Sequence, residues 1–78
     1  MTSTIRLKPR TRWRVIHMAG LPPALGKRMQ TLGLLPGTTL ELVRCAPLGD
    51  PWVVRVRGAL FSLRGEDLKK LVVEAVDG

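Results

Sequence analysis

The segment that most limits what this chain can fold into is residues 46–51, which carry two prolines and a glycine between two apolar, β-branched runs. Residues 38–44 precede it and residues 52–57 follow it, so the pattern predicts a β-hairpin. Proline fixes the backbone at both shoulders, glycine permits the turn, and Asp50 is suited to accept a hydrogen bond from nearby backbone. Because both strands stop pairing at this loop, we expect Leu48 to point into solvent, where a rigid apolar tip is suited to docking. An ordinary tight connection between two strands is the alternative interpretation.

Length and cysteine content limit the architecture to one small domain that depends on packing. The chain has 78 residues and a single cysteine, Cys45, which excludes an internal disulfide framework and agrees with a reducing compartment. The N-terminal residues lack the apolar segment of a signal peptide, and no run of about 18 apolar residues is present. We therefore expect one soluble, cytoplasmic domain over residues 1–78.

Charge is distributed unevenly along the chain. The net charge is +7, and no acidic residue occurs before Glu41. If the N-terminal segment is extended, the even spacing of its cations predicts that five of them share one face: Arg6, Lys8, Arg10, Arg12 and Arg14. Such a face attracts nucleic acid, anionic lipid headgroups or an acidic protein surface. A solvated strand face that keeps a small protein soluble is the alternative.

The N-terminal half predicts one strand followed by one short helix. Residues 1–8 are expected to form a loose arm, and residues 12–18 alternate weakly between apolar and polar, as a half-buried strand does. A helix of about three turns is expected next, because a pair of prolines suits its first turn and Gly33 suits its end. Its apolar stripe consists of Leu25, Met29 and Leu32.

The C-terminal half predicts the hairpin, two further strands and a helical turn. Residues 60–63 predict a fourth strand and residues 71–76 predict the last one. Between them, residues 64–69 predict a helical turn, because acidic residues come first and lysines last, as the helix dipole prefers. Five short strands with one early helix predict a small closed β-barrel, since closure hides the edges that such strands would otherwise expose.

Residues that carry out catalysis or bind metals are too few and too scattered to predict such a site. His17 is the only histidine, and together with Cys45 it supplies two donors where a zinc site needs more. Glu66 and Asp67 are adjacent and would diverge on a helical turn, so they make a poor acid–base pair. No phosphate-binding glycine loop is present. We therefore expect no enzyme activity, no metal, no cofactor and no small-molecule substrate.

Three short segments carry a recognisable pattern in their order and spacing. Residues 27–37 form a basic helix that runs into a glycine turn, and residues 46–51 form the hairpin loop. Residues 63–67 place a leucine and an arginine before two acids. Together with the opening at residues 7–9, these segments resemble the FeoA family of ferrous-iron transport accessory proteins. The similarity covers roughly residues 5–76.

This resemblance implies a mainly β, SH3-like barrel of about five strands, with one short helix after the first strand and a helical turn before the last. It implies a bacterial cytoplasmic protein that acts with FeoB, a membrane permease for Fe(II) with a cytosolic GTP-binding domain. The chain would bind the cytosolic part of that permease and reach the inner face of the membrane through it. Arg10 stands where the family commonly has glycine.

The residues expected to contact this partner combine apolar positions with cations. Apolar side chains at the helix exit and at the hairpin tip would supply contacts, and the cations would steer the encounter. The expected partner-binding residues are Lys27, Arg28, Leu34, Leu35, Leu48, Asp50 and Arg64. A narrower hypothesis makes Arg28 or Arg64 an arginine finger for GTP hydrolysis.

Two other functions compete with this one. A nucleic-acid-binding small basic β-barrel would use the cationic face, but Trp13, Trp52 and Phe61 are its only candidates for stacking on bases, and their strand positions suit the core better. A stand-alone regulator, similar to the C-terminal barrel of iron-dependent repressors, would bind a peptide or a metal. Of the three functions, binding to the permease is preferred.

Overall fold

Alternating apolar and polar residues organise the chain into short strands whose inner side chains form one core. The computed structural model describes residues 3–76. Its strands are β1 (Ser3–Thr4), β2 (Thr11–His17), β3 (Thr39–Cys45), β4 (Trp52–Val56), β5 (Ala59–Leu63) and β6 (Val72–Ala75), and its helices are α1 (Pro23–Thr31) and α2 (Gly65–Leu68). The predicted mainly β, SH3-like fold is confirmed, and a helical turn precedes the last strand as expected. There are six strands where about five were predicted, and the short helix follows the second strand instead of the first, because β1 forms ahead of the predicted first strand.

All six strands form one antiparallel sheet in the order β1-β6-β2-β3-β4-β5. The strands bury one face, because the side chains at every second position point inward and are apolar. The fully buried strand residues are Val15, Leu40, Leu42, Val54, Val56 and Val73. This arrangement leaves β1 and β5 at the two ends of the strand order, where they do not pair with each other. The prediction that closure of the barrel hides the strand edges is therefore wrong.

The N-terminal segment is more ordered than its composition predicts. Ser3 pairs with Val73 and Thr4 pairs with Val72, so β1 extends the sheet beyond β6. Ile5 follows directly and is buried in the core. The prediction of a loose arm is therefore wrong from residue 3 onward, because an apolar side chain and a free strand edge hold this segment. Residues 1 and 2 of the predicted arm lie outside the described residues.

The five regularly spaced cations do not share one strand face. Arg10 has a φ of 62°, in the left-handed region, and its N–H donates to the carbonyl oxygen of Leu42 at 2.6 Å. This left-handed residue interrupts the extended backbone immediately before β2, so only Arg12 and Arg14 lie on the outer face of that strand. The prediction of one continuous basic face is wrong because it assumed an extended backbone through Arg10.

The single long helix agrees with the predicted stripe and is slightly shorter than expected. α1 spans nine residues, begins directly after Pro22 and carries proline at its first position. Met29 is fully buried, Leu25 is half-buried against the core, and Leu32 is half-buried. Within residues 3–76, no helix has the length and apolar character needed to cross a membrane.

Candidate docking surface

The exit of α1 is fixed by backbone hydrogen bonds that decide where the next leucine goes. The N–H of Leu34 donates to the carbonyl oxygen of Met29 at 2.9 Å, and the N–H of Gly33 donates to that of Gln30 at 3.0 Å. This Schellman arrangement requires a left-handed residue, and Gly33 supplies it with a φ of 92°. Leu34 is thereby turned inward, and it is fully buried in the same core as Met29. The prediction that Leu34 contacts a partner is therefore wrong.

Leu35 is held in the opposite direction by the next turn. The N–H of Thr38 donates to the carbonyl oxygen of Leu35 at 2.9 Å, with Pro36 and Gly37 in between. Proline followed by a glycine with a φ of 93° is the pairing that a type II turn requires. The N–H of Gly37 also donates to the carbonyl oxygen of Val15 at 2.6 Å, so the turn is attached to β2. Leu35 remains 41% exposed and available for contact.

Three cations lie on or beside α1. Lys27 and Arg28 are exposed, and neither takes part in the ion pairs formed among residues 3–76. Arg57 was not among the expected site residues, yet a Cβ built on Gly33 would lie only 3.0 Å from its Cδ. Its stem therefore packs against the helix exit. We call Lys27, Arg28, Leu35 and Arg57 the helix-exit group.

The hairpin loop holds its leucine in solvent, as predicted. The N–H of Gly49 donates to the carbonyl oxygen of Ala46 at 2.8 Å, and the N–H of Ala46 donates to that of Pro51 at 2.9 Å. These two bonds close the loop on itself between β3 and β4. Leu48 at its tip is 98% exposed, the most exposed of the large apolar side chains in residues 3–76.

Asp50 attaches the hairpin loop to the start of α2. Its Oδ1 accepts a hydrogen bond of 2.7 Å from the N–H of Gly65. A Cβ on Gly65 would lie 3.3 Å from that oxygen and 3.0 Å from Cδ1 of Leu7, so glycine permits the close approach. The Asp50 carboxylate therefore already has a structural partner, although Asp50 is exposed and was expected to contact another protein.

Arg64 lies immediately before α2 and is exposed. Its Nη1 lies 3.6 Å from Oε1 of Glu66, and both side chains are largely exposed, so this ion pair is weak. Because Asp50 binds Gly65, Arg64 is held close to the hairpin loop. We call Leu48, Asp50 and Arg64 the hairpin-tip group.

The two groups lie at opposite ends of β3. The turn that carries Leu35 directly precedes this strand, and the loop that carries Leu48 directly follows it. Seven extended residues separate them by roughly 20 Å. The expected site residues therefore form two separate contact points, and a partner must span the strand to reach both.

Residues that bear on the other candidate functions are mostly turned inward or isolated. Trp52 is buried, and Trp13 is half-buried with its Nε1–H donating to Oγ1 of Thr11 at 3.0 Å. Phe61 is also half-buried, so the three aromatic rings present little surface for stacking on bases. Among residues 3–76, no three histidine, cysteine, aspartate or glutamate side chains are grouped so that they could hold a metal ion.

Comparison with known proteins identifies the family. The model of the FeoA domain matches residues 5–75. The chain belongs to the FeoA family. The FeoA protein of Chlorobium tepidum, known from a solution structure, is 34% identical, superposes with a TM-score of 0.85, and is matched over 94% of this chain and 69% of its own.

Two further FeoA relatives are informative. Iron(II) transport protein A of Clostridium thermocellum is 31% identical with a TM-score of 0.79, over 91% of this chain and 43% of that one. A Porphyromonas gingivalis protein named as a fusion of Fe(2+) transport protein A with the Fe(2+) transporter FeoB is 42% identical over 50 residues. That match covers 64% of this chain but only 6% of the fusion protein. The FeoA family is thus associated with ferrous-iron transport, and it is not a family of enzymes.

Proposed function

We propose that this FeoA chain is a cytoplasmic, non-enzymatic docking module that binds the cytosolic part of a FeoB-type ferrous-iron permease. The observation that carries the proposal is Leu48, an apolar side chain that is 98% exposed on a loop closed by its own hydrogen bonds. Burying a leucine contributes about 1.5–3 kcal/mol, so a protein that leaves one in solvent gains when a partner covers it.

The stiffness of the loop makes Leu48 a better contact than its exposure alone would. Two backbone hydrogen bonds and the Asp50–Gly65 bond already fix the loop in the free protein. Binding to this loop therefore costs little of the conformational entropy that would be lost if a mobile loop had to become ordered. Leu48 is thus suited to fill an apolar pocket as an anchor residue.

Cations of both groups supply the long-range part of recognition. Lys27 and Arg28 are exposed and lie outside the ion pairs of residues 3–76, and Arg64 lies beside the hairpin loop. Such charges raise the rate of encounter with an acidic surface, and their effect falls as salt screens them. The permease domain should therefore present acidic residues around an apolar pocket.

The fusion relative supports this choice of partner. In the Porphyromonas gingivalis protein, Fe(2+) transport protein A and the transporter FeoB are named as parts of one chain. A covalent link keeps two binding modules at a high effective concentration, so weak docking becomes nearly complete. In either arrangement, the contact itself depends on the surface of the FeoA domain.

Calorimetric titration with the purified cytosolic GTP-binding domain of the permease tests the proposal. Leu48→Asp should weaken binding by about tenfold or more, since loss of an apolar anchor costs at least 1.4 kcal/mol. Ile16→Asp is the matched control, because Ile16 is also an exposed apolar residue but lies on β2. Unchanged affinity of Leu48→Asp would contradict the docking role of the tip.

The charge contribution is tested in the same titration. The double variant Lys27→Glu and Arg28→Glu should bind more weakly, and the difference from wild type should shrink at high salt. Arg12→Glu with Arg44→Glu makes the same change in charge on the outer sheet face and should have the smaller effect. Equal loss in both double variants would show that net charge alone governs the encounter.

The arginine-finger hypothesis has a separate readout. If Arg28 or Arg64 stabilises charge in the transition state, adding the chain should accelerate GTP hydrolysis by the permease domain. Replacing the responsible arginine with lysine should abolish that acceleration while leaving binding largely intact. An unchanged hydrolysis rate with the saturated complex would exclude the hypothesis and leave the docking proposal standing.

A further inference from the structure

Strand β5 is a sheet edge without the usual protection. It lies at the end of the strand order and pairs with β4. Its residues, Ala59–Leu63, include no charge and no proline. Natural edge strands commonly carry such residues because an open edge invites pairing with another chain. Ala59, Leu60 and Ser62 are exposed, and Leu60 is 55% exposed, so the edge is open to solvent.

The register shows which backbone groups of β5 point away from the sheet. Val56 pairs with Ala59 across a two-residue turn of Arg57 and Gly58, which both have positive φ as a type I′ turn requires. The closing pair of such a hairpin is hydrogen-bonded, and bonded pairs alternate along the ladder. The N–H and C=O groups of Leu60 and Ser62 therefore face outward. Within residues 3–76, neither residue makes a backbone hydrogen bond outside the ladder.

An arginine stands at each end of this edge. Arg57 precedes β5 and takes part in none of the ion pairs among residues 3–76. Arg64 follows β5, and its loose contact with Glu66 leaves the guanidinium accessible. Seven residue steps place the two arginines roughly 20 Å apart along the edge. The edge is thus neutral and apolar in its middle and positive at both ends.

We propose that the β5 edge binds an extended segment of a partner protein whose apolar middle is flanked by acidic residues. The segment adds an antiparallel strand beside β5 and exchanges backbone hydrogen bonds with Leu60 and Ser62. Its middle covers the exposed side chain of Leu60, and its acidic ends meet Arg57 and Arg64.

A second copy of this chain fits the edge less well. Antiparallel pairing of β5 with itself about Phe61 would bring Arg57 of one copy towards Arg64 of the other. Two like charges would then meet at each end of the joint sheet, which disfavours the pairing. Charge complementarity therefore selects an acid-flanked segment. The proposal rests on the backbone of β5 and not on Leu48, although it shares Arg57 with the helix-exit group and Arg64 with the hairpin-tip group. It does not depend on the permease.

A synthetic peptide tests the edge directly. The probe has two glutamates at each end and a middle of alternating valine and threonine, and it is titrated into the isotopically labelled chain. The amide signals of Leu60 and Ser62 should shift, and their deuterium exchange should slow, because both N–H groups gain an acceptor. A peptide with the same middle and lysines at both ends should bind at least tenfold more weakly, since it repels Arg57 and Arg64.

Variants of the chain separate backbone pairing from charge attraction. Ser62→Pro removes an outward N–H at a position where an edge strand tolerates proline, and it should weaken peptide binding about tenfold. Leu60→Lys places a protecting charge on the edge and provides an independent variant should proline disturb the fold. Arg57→Asn keeps a residue that favours the type I′ turn but removes the charge, and should also weaken binding. Arg12→Gln, a loss of charge away from the edge, should not.

Three outcomes would overturn the proposal. The amide signals of Leu60 and Ser62 could stay in place at millimolar peptide, or the lysine-ended peptide could bind as tightly as the acidic one. Signals of β5 that move with protein concentration in the absence of peptide would instead show a second copy on the edge. These results come from a synthetic peptide and from the amide signals of β5, so failure here leaves the effect of Leu48→Asp on binding to the permease domain unaffected.

Discussion

The two loops that flank β3 have similar compositions but expose their leucines differently. Residues 32–38 before the strand and residues 46–51 after it both combine leucine with proline and glycine. Leu34 is fully buried in the first loop, whereas Leu48 is 98% exposed in the second. Leu34 occupies the position of a helix-capping motif that turns inward, while Leu48 sits in a loop that closes on itself. The backbone motif therefore decides whether a leucine serves the core or a partner.

Truncating the two leucines should give the largest difference. Leu34→Ala should lower the free energy of unfolding by about 2–5 kcal/mol, because it leaves a cavity in the core. Leu48→Ala should change it by about 0.5 kcal/mol or less, since the side chain is in solvent. Urea unfolding followed by tryptophan fluorescence measures both, with buried Trp52 as the reporter. Similar losses from the two variants would remove the distinction between the loops.

Replacing two glycines by alanine, one inside α1 and one just after it, should change stability in opposite directions. Gly33→Ala should lower stability by about 2 kcal/mol, because the residue needs a positive φ and its Cβ would meet the stem of Arg57. Gly26→Ala should raise stability by about 0.5–1 kcal/mol, since a Cβ there meets nothing within 4 Å and alanine favours helix. Thermal and urea unfolding of both variants check the signs. A stabilised Gly33→Ala would contradict the assigned helix exit.

The anchor of the second loop should matter more to stability than its tip. Asp50→Ala should lower the free energy of unfolding by about 1.5 kcal/mol, because the N–H of Gly65 loses a charged acceptor. Asp50→Asn keeps an acceptor oxygen, so its free energy of unfolding should fall by less than that of Asp50→Ala. Amide exchange at Gly65 should accelerate in the alanine variant. Unchanged exchange would show that another group holds α2 to the loop.

The smallest effect is expected at the turn before β2. Arg10 adopts a φ of 62°, a left-handed conformation that is unfavourable for every residue with a Cβ atom. Arg10→Gly should therefore raise stability by about 0.5 kcal/mol, after the greater freedom of glycine in the unfolded chain is subtracted. Arg12→Gly, two residues further along and inside β2, should lower stability instead. Denaturant midpoints of the two variants should move in opposite directions, and movement in the same direction would contradict the strain at Arg10.

Local patterns in the sequence predicted the parts of the fold that depend on neighbouring residues. The hairpin, the stripe of α1 and the exposed tip follow from spacing and from turn residues alone. The glycine after α1 was recognised as a helix end, but the inward turn of Leu34 is a consequence of the hydrogen bonds that this end makes. The same reasoning failed at Arg10, because an extended backbone was assumed where a turn occurs.

Contacts between distant residues could not be predicted from spacing. Asp50 was expected to bind nearby backbone, yet its partner is Gly65, 15 residues away. Arg57 packs beside Gly33 only because the barrel brings the β4–β5 turn to the helix exit. Ser3 and Val73 pair from opposite ends of the chain. Such contacts depend on how the strands assemble into one sheet. The cations and anchoring contacts of the site can therefore be assigned only once the fold is known.

The most direct test of the docking role is a titration of the labelled 78-residue chain with the unlabelled cytosolic domain of the permease, in GDP and GTP-analogue states. We predict that amide signals of residues 46–51 shift together with those of Arg28 and Leu35, while the signal of buried Leu34 stays largely in place. A difference in these shifts between the GDP and GTP-analogue states would show that docking depends on the nucleotide state of the GTP-binding domain. No shift at hundreds of micromolar would contradict docking through the hairpin tip. Shifts confined to the outer face of β2, around Arg12 and Arg14, would contradict it as well.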